Sequence, residues 1–342
     1  MHPKLSIIVP IFKAEKYLHK CLSSILHQTF ADFQLILVND GSPDNSLAIC
    51  DYYAKLDSRI QVLSQPNLGV VAAIKNALDY AKGEYIGFVD SDDWIEPQMY
   101  EKLMEQSKDC DIVACAWQMV REKGAESVPL GVPSGYYDKE KIEKVIYPIL
   151  LEDNGDIELA ALRISRVNKL YQKQLILDNL KYYTGNIKTK EDYSFYLATM
   201  LDASNIFVLQ TDYLYNYFIH SESTTASPNA DYWQESLACI ANLKTILQAK
   251  GRLELESRIN LLAARFAVTA IMRTPALGKE NGLAQIQQIL ATPQVQQGLA
   301  IDARSYDYRV RLLLKLMRKN RVHNLYALGK LYDILKKRHK KA

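Results

Sequence analysis

The strongest constraint on the fold is an alternation of short apolar runs with helix-forming stretches over residues 5–89. Four runs have the composition of buried strands, and the three stretches between them repeat apolar residues at helical spacing. The predicted strands are Leu5–Pro10, Phe33–Val38, Ile60–Ser64 and Glu84–Val89, and the predicted helices are Glu15–Gln28, Asp44–Leu56 and Val70–Ala81. Such alternation builds a mostly parallel, twisted sheet flanked by helices, so the predicted fold class is Rossmann-like α/β.

Three polar segments directly follow predicted strands: Pro10–Phe12, Asp40–Ser42 and Asp90–Asp93. The carboxyl ends of parallel strands meet at one edge of the sheet, where α/β proteins bind their ligands. These segments therefore predict one shared binding site. For Asp40 an ordinary turn is the alternative, because Asn-Asp-Gly is strong turn chemistry.

The segment Asp90-Ser91-Asp92-Asp93 places three carboxylates within four residues. Their mutual repulsion is unfavourable unless a cation is shared or water solvates them. Acidic oxygen ligands suit Mg²⁺ or Mn²⁺, which use one or two carboxylates together with substrate phosphates. A polar loop that caps a helix beginning near Pro97 is the alternative interpretation.

After residue 100 the pattern becomes less regular and then purely helical. The elements predicted there are the strands Asp111–Trp117 and Asn205–Leu209 and the helices Lys139–Leu151, Tyr193–Leu201, Tyr232–Lys250, Leu253–Met272, Gly282–Leu290, Tyr306–Lys319 and Leu325–Lys341. We therefore predict two domains, residues 1–225 with the sheet and residues 226–342 all helical.

Composition excludes several classes of protein. The five cysteines show no CxxC spacing, which disfavours a disulfide framework or a zinc site. Neither a GxxxxGK[ST] loop nor a GxGxxG after the first strand is present, which disfavours P-loop enzymes and dehydrogenases. With no leader and no membrane-spanning apolar run, we expect a cytoplasmic chain.

The carboxyl-terminal end is strongly basic. Residues 309–342 hold 12 Lys and Arg against one acid, Asp333, whereas the remainder holds 30 bases and 38 acids. Its apolar stripes are Tyr306, Val310, Leu312, Leu313, Leu316 and Met317, then Leu325, Leu328, Leu331, Tyr332 and Leu335. Such helices suit an anionic membrane, which predicts a peripheral position at its inner face. The alternative is a bundle that buries the stripes against the catalytic domain or a second subunit, as in a homo-oligomer. No recognised module favours nucleic acid.

Four segments resemble, in order, the motifs of family 2 glycosyltransferases. They are Ile7–Ile11, Ala14–Leu18, Asp40–Ser46 and Val89–Asp93, and the resemblance covers roughly residues 4 to 225. It implies the GT-A fold and transfer of a sugar from a nucleotide-sugar, as in bacterial capsule and surface polysaccharide synthesis. The acceptor would be a hydroxyl of a glycan or of a lipid-linked glycan.

The resemblance also assigns the donor-binding residues. Asp40 should accept a hydrogen bond from a uracil imide, and Pro10, Phe12 and Glu15 should shape the base and ribose pocket. The donor is then a UDP-sugar.

Asp90-Ser91-Asp92 matches the DxD motif of the family, so Asp92 should bind Mn²⁺ or Mg²⁺ and Asp90 should contact the ribose or a metal-bound water. His220 lies in a segment that resembles Tyr-Arg-x-His-x-x-Ser, which makes it a further metal ligand or diphosphate contact. An ordinary loop histidine is the alternative.

Glu191-Asp192 stands where the family carries a Glu-Asp pair with the catalytic base. The resemblance implies that Asp192 deprotonates the acceptor for a single inverting displacement, with Glu191 as second choice. By the residues alone, two acids at a helix start are a common cap.

One position departs from the family pattern. Ile74 stands where an arginine commonly reaches the nucleotide, and Lys75 could replace it as a point charge but not as a bidentate fork. A non-catalytic GT-A-like scaffold in a polysaccharide-assembly complex is therefore the alternative function. A processive polymerase is disfavoured, since no QxxRW segment is present.

Overall fold

A computed structural model describes residues 2–151, 162, 164–185, 190–220, 231–301 and 308–339, with backbone only at 308, 309 and 336–339. The chain divides into two compact units. The first is formed by Met1–Leu150 and Ile157–Ser227, and the second by Leu151–Asp156 and Pro228–Ala342. The predicted boundary between residues 225 and 226 lies outside the described residues.

The described part of the first unit is built on one ten-stranded sheet. Its strands are β1 (Leu5–Ile11), β2 (Phe33–Asp40), β3 (Ile60–Gln65), β4 (Tyr85–Phe88), β5 (Trp94–Ile95), β6 (Ile112–Arg121), β7 (Gly124–Val128), β8 (Gly135–Tyr137), β9 (Lys169–Gln172) and β10 (Ile206–Phe218). Their order is β3-β2-β1-β4-β9-β6-β10-β5, with β7 beside β6 and β8 beside β10.

Most strands of this sheet run in the same direction. Strands β3, β2, β1 and β4 are parallel, as the alternation predicts. Strand β9 is antiparallel to both β4 and β6, whereas β6 and β10 are parallel to each other. The α/β prediction is confirmed: β4 and β6 run in the same direction on either side of β9, so β9 is the reversed strand in an otherwise parallel series from β3 to β10.

Burial explains why the central strands are continuous apolar runs. Every residue of β1 and β2 is buried, since both faces of the sheet are covered there. On β4, a Cβ at Gly87 would lie 2.4 Å from the hydroxyl of Tyr100. Glycine at this position lets the tyrosine cross the strand just before the acidic segment begins.

The helices of the first unit are α1 (Leu18–Leu26), α2 (Ser46–Leu56), α3 (Val70–Tyr80), α4 (Met99–Glu105), α5 (Lys139–Lys141), α6 (Lys173–Asn179) and α7 (Glu191–Asp202). The helix predicted over 139–151 is broken into several turn types. After α5 the chain continues as a π-helix over Ile142–Ile146 and a 3₁₀ turn over Tyr147–Ile149.

The described part of the second unit is helical throughout, which confirms the helical prediction for the carboxyl-terminal region. It contains α8 (Tyr232–Ala249), α9 (Glu256–Arg273), α10 (Lys279–Ala291), α11 (Pro293–Ala300), α12 (Tyr308–Arg318) and α13 (Val322–His339). A Cβ at Gly298 would lie 1.9 Å from the Asn260 carbonyl oxygen, so the missing side chain lets α11 pack directly on α9. No helix of the described residues is long and apolar enough to cross a membrane.

The basic helices bury only part of their apolar stripes. Met317 and Leu325 are buried, whereas Leu331, Tyr332 and Leu335 on α13 stay about half exposed. Tyr306 lies outside the described residues.

Candidate active site

The acidic loop after β4 is anchored to β10. The buried carboxylate of Asp93 accepts hydrogen bonds from the Tyr215 hydroxyl at 2.6 Å and the Phe218 amide at 2.8 Å. The Asp90 amide donates to the same Tyr215 oxygen at 3.1 Å. Burial and repulsion from Asp90 and Asp92 raise the pKa of Asp93 well above its usual range. Asp93 therefore supports the loop, and Asp90 and Asp92 stay the predicted functional acids.

A buried guanidinium joins three of the carboxylates. Arg166 donates from Nη2 to Asp90 Oδ1 at 2.6 Å, and from Nη1 to Asp192 Oδ1 at 2.6 Å and Glu191 Oε1 at 3.3 Å. Its side chain is only 7% exposed. We call these four residues the Arg166 cluster. The cluster brings the predicted donor residue and the predicted base together.

Within the Arg166 cluster, the two acids at the start of α7 have different environments. Burial and repulsion from Asp192 raise the pKa of Glu191 to about 8, and Arg166 offsets only part of that shift. Burial also raises the pKa of Asp192, although the shorter ion pair with Arg166 opposes the shift. Neighbouring acids whose environments shift their pKa values by different amounts can take different chemical roles.

Asp92 points to a second partner. Its Oδ2 lies 2.9 Å from His220 Nε2, and His220 Nδ1 lies 3.2 Å from the Tyr17 hydroxyl. The His220 ring also stacks on Phe218, with 5.4 Å between ring centres. We call the first two residues the Asp92–His220 pair. The contacts of Nδ1 and of the ring fix the orientation of the imidazole.

The side chains present fit a divalent cation that takes few protein ligands. Among the described residues, no group of three or more His, Cys, Asp or Glu side chains is arranged to hold a metal. The Asp92–His220 pair supplies one oxygen and one nitrogen, and Asp90 has one oxygen committed to Arg166. Mg²⁺ commonly binds through one or two carboxylates and takes its remaining ligands from water and substrate phosphates.

At the end of β2, Asp40 organises the loop that follows β3. Its Oδ1 accepts from Gln65 Nε2 at 2.8 Å and the Leu68 amide at 2.9 Å, and its Oδ2 accepts from the Gly69 amide at 2.8 Å. Asp40 is buried. Asp40 therefore shapes the loop beside the predicted base pocket. This structural role is compatible with both the turn interpretation and the binding interpretation, and the binding role stays a prediction.

The other predicted pocket residues lie near the ends of β1 and β2. Pro10 is buried in β1, whereas the Phe12 side chain is 42% exposed. Glu15 Oε2 accepts from the Asn45 amide at 2.9 Å. Ser91 is half-buried and lies between Asp90 and Asp92 in the chain.

On α3, the departure from the family pattern has a structural cause. Ile74 is fully buried, so this position faces the core. Lys75 is half-buried, and the next residue, Asn76, donates to Gln65 Oε1 at 2.8 Å. Within residues 69–76, Lys75 is the only residue with a charged side chain.

Comparisons with known proteins identify the family. Residues 6–158 match the family described as Glycosyl transferase family 2. The protein described as "Putative glycosyltransferase EpsH" of Bacillus subtilis (strain 168) is 31% identical over 255 residues, which span 74% of this chain and 71% of EpsH. The chain belongs to glycosyltransferase family 2.

Other comparisons agree with this assignment. The glycosyltransferase EpsJ of the same organism is 30% identical over 251 residues, which span 69% of this family 2 chain and 67% of EpsJ. The crystal structure of S. aureus TarS 1–349 in complex with UDP-GlcNAc matches with a TM-score of 0.62 at 22% identity, over 96% of this chain and 91% of that one. The likeness to TarS confirms the predicted GT-A fold, and the family confirms that the chain is a glycosyltransferase.

Sequence reasoning missed three side chains of the family 2 site. Arg166 lies in a stretch without strand or helix periodicity, 76 residues from its partner Asp90. Tyr215 and Tyr17 lie in apolar segments where an aromatic residue ordinarily predicts a core position. The only signal for Arg166 was its charge, which it shares with the nearby Arg163 and Lys169.

Proposed function

We propose that this family 2 enzyme is a metal-dependent, inverting glycosyltransferase that uses a UDP-sugar. The acceptor is a hydroxyl of a glycan or a lipid-linked glycan in bacterial surface polysaccharide synthesis. The observation that carries the proposal is that Asp90 and Asp192 share one guanidinium. A residue that binds the donor and a base that deprotonates the acceptor must lie close together, because the acceptor oxygen attacks the sugar of the donor. The UDP-GlcNAc in the TarS complex, a neighbour in fold, supports UDP as the nucleotide.

In the proposed reaction, Asp192 takes the proton of the acceptor hydroxyl as that oxygen attacks the anomeric carbon. One displacement with UDP leaving from the opposite face inverts the anomeric configuration. Burial raises the pKa of Asp192 and Arg166 opposes that shift, whereas Glu191, with a pKa of about 8, is mostly protonated near neutral pH. Asp192 is therefore the better base, with a raised pKa that favours proton uptake.

Asp92, His220 and Asp90 are the residues that would hold Mn²⁺ or Mg²⁺. The ion would supply Lewis-acid stabilisation of the charge that develops on the departing diphosphate. The side chain of Lys75 adds a point charge for the same diphosphate, and Ser91 lies between the two acids as a polar contact.

The nucleotide would bind at the ends of β1 and β2. Phe12 offers an exposed ring for the base, and Glu15 and Pro10 border the same edge of the sheet. Asp40 would combine its support of the 65–69 loop with a hydrogen bond to the uracil imide, since a carboxylate accepts about four hydrogen bonds.

We also propose that the basic helices contact an anionic membrane. Leu331, Tyr332 and Leu335 are half exposed on α13, in a segment rich in lysine and arginine. Apolar side chains with flanking cations suit a lipid surface. Sedimentation with vesicles of anionic phosphatidylglycerol, but not of zwitterionic phosphatidylcholine, would support this; equal sedimentation with both would contradict it. A stable dimer in solution would instead favour the homo-oligomer.

Calorimetric titration of UDP tests the donor site. We expect micromolar binding in Mn²⁺, about −8 kcal/mol, that weakens with chelator or in Asp92→Asn. UDP-GlcNAc turnover and the configuration of the product come next. Stronger binding of GDP or dTDP would overturn UDP as the donor nucleotide.

The buried Ile74 is the one observation that favours a scaffold, since no arginine reaches the nucleotide from this position. A scaffold would bind none of the three nucleotides. The acids Asp90, Asp92 and Asp192 are all present in the site, which favours the enzyme.

A further inference from the structure

Arg166 joins acids that come from distant parts of the chain. Strand β9 is antiparallel to β4, so the start of β9 lies at the end of β4 where Asp90 follows. Arg166 comes three residues before β9, and it reaches α7 with its other terminal nitrogen. Its Nε has no hydrogen-bond partner among the described residues, so the guanidinium bonds through its two terminal nitrogens.

The loop that carries Arg166 is itself held in place. The fully buried Lys169 donates from Nζ to the Ser165 carbonyl oxygen at 2.9 Å and to Asn168 Oδ1 at 3.0 Å. The Asn168 side chain donates to the Cys115 carbonyl oxygen on β6. An arginine on so constrained a loop keeps its guanidinium in one place.

Each bridged acid uses only one oxygen in the bridge. Asp90 and Asp192 both bind Arg166 through Oδ1, and their second oxygens make no hydrogen bond within the described part of the chain. The two side chains are 29% and 28% exposed, although Arg166 between them is buried. The bridge therefore fixes both acids while leaving one oxygen of each accessible.

We propose that Arg166 is a positioning residue for sugar transfer, which holds the free oxygen of Asp192 at a fixed separation from the donor held at Asp90. This inference rests on the proposed function. A planar fork is needed because one nitrogen must face each acid, and a lysine ammonium in the same place can serve only one of them well. Misplacement of a base by about 1 Å lowers turnover about 100-fold.

The test compares Arg166→Lys with wild type in UDP-GlcNAc and Mn²⁺, with UDP release as the readout. We expect kcat to fall about 100-fold, with the donor KM and the UDP dissociation constant within about threefold of wild type. In an Asp192→Asn background the same substitution should change kcat no further, because Arg166 acts through Asp192. Arg59→Lys, at an ion pair with Asp57 in the α2–β3 loop, is the matched control and should keep full activity.

Two results would overturn the inference: a raised KM with normal kcat, or an equal loss of kcat in both backgrounds. If Arg166→Lys fails to fold, Arg166→Ala is assayed with millimolar guanidinium chloride. Recovery of kcat by the added cation supports positioning, and no recovery contradicts it.

A wild-type protein that binds UDP but turns over no UDP-sugar overturns the proposed function itself, and the positioning role with it. That failure is seen in wild type, before any variant is compared.

Discussion

Asp90 and Asp92 lie two residues apart on one loop, yet they belong to different electrostatic regions. Asp90 belongs to the Arg166 cluster, where a guanidinium that is always charged balances three acids. Asp92 belongs to the Asp92–His220 pair, where the partner is an imidazole whose charge depends on its protonation, and its side chain is 34% exposed.

From this difference we expect the Arg166 cluster and the Asp92–His220 pair to have different roles. In the Arg166 cluster one guanidinium binds all three acids within the protein, so the geometry of the cluster is set before any ligand arrives. In the Asp92–His220 pair, burial and repulsion from Asp90 raise the pKa of Asp92, and the hydrogen bond to His220 offsets only part of that. A carboxylate in this condition gains from a cation. The first region would then organise the chemistry, and the second would take the metal and diphosphate.

The largest effect should come from the Arg166 cluster. Asp192→Asn removes the base while keeping the size of the side chain, and we expect kcat to fall about 10²- to 10⁴-fold with UDP binding unchanged. Steady-state kinetics with calorimetry of UDP checks both parts. Asp202→Asn at the other end of α7 is the control. A kcat within tenfold of wild type would remove Asp192 from the role of base.

Tyr215→Phe should disturb both regions, because this hydroxyl anchors the loop that carries them. The change leaves one oxygen of the buried Asp93 and the Asp90 amide without their partner, which should lower the free energy of unfolding by about 1–3 kcal/mol. Urea denaturation measures it. Tyr136→Phe removes an exposed tyrosine hydroxyl and should cost less; equal losses would contradict the anchoring role.

His220→Gln tests the second region by itself. We expect UDP to bind about tenfold more weakly in Mn²⁺ and with unchanged affinity in chelator, because a ligand of the ion is altered. His19→Gln, an exposed histidine near Tyr53, is the matched control for calorimetry. The same loss with and without metal would make His220 a direct contact of the nucleotide.

Glu191→Gln should change turnover least, and its effect on stability depends on pH. The pKa of Glu191 is about 8 in the folded protein against 4.5 as its ordinary value. The folded state therefore binds the extra proton between these values, and stability falls as pH rises through them. Glutamine takes no charge, so the variant should exceed wild type in stability at pH 9 by up to roughly 5 kcal/mol (about 1.4 kcal/mol for each pH unit between 4.5 and about 8) and should equal it at pH 4. Urea denaturation at both values measures this, with the exposed Glu254→Gln as control. Parallel pH profiles of the variant and wild type would contradict the raised pKa.

The parallel half of the sheet could be predicted because its strands follow one another along the chain. Strands β1 to β4 each have an amphipathic helix or loop between them, and their order needs only short crossovers. The mixed half could not be predicted in this way. Strand β9 enters between β4 and β6, and β10 pairs with β6 from far along the chain. Residues 210–218 extend β10 beyond the predicted Asn205–Leu209.

By itself, the sequence determined which residues are candidates for the chemistry. Carboxylates after buried strands and at a helix start are local patterns, and the motifs they form resemble those of the family. The tertiary structure decided how these acids are grouped. The ion pair between Arg166 and Asp90 joins residues 76 positions apart, so it forms only because the chain returns to the same sheet edge. The periodicity of the sequence does not predict this contact, because the contact depends on the packing of β9 beside β4.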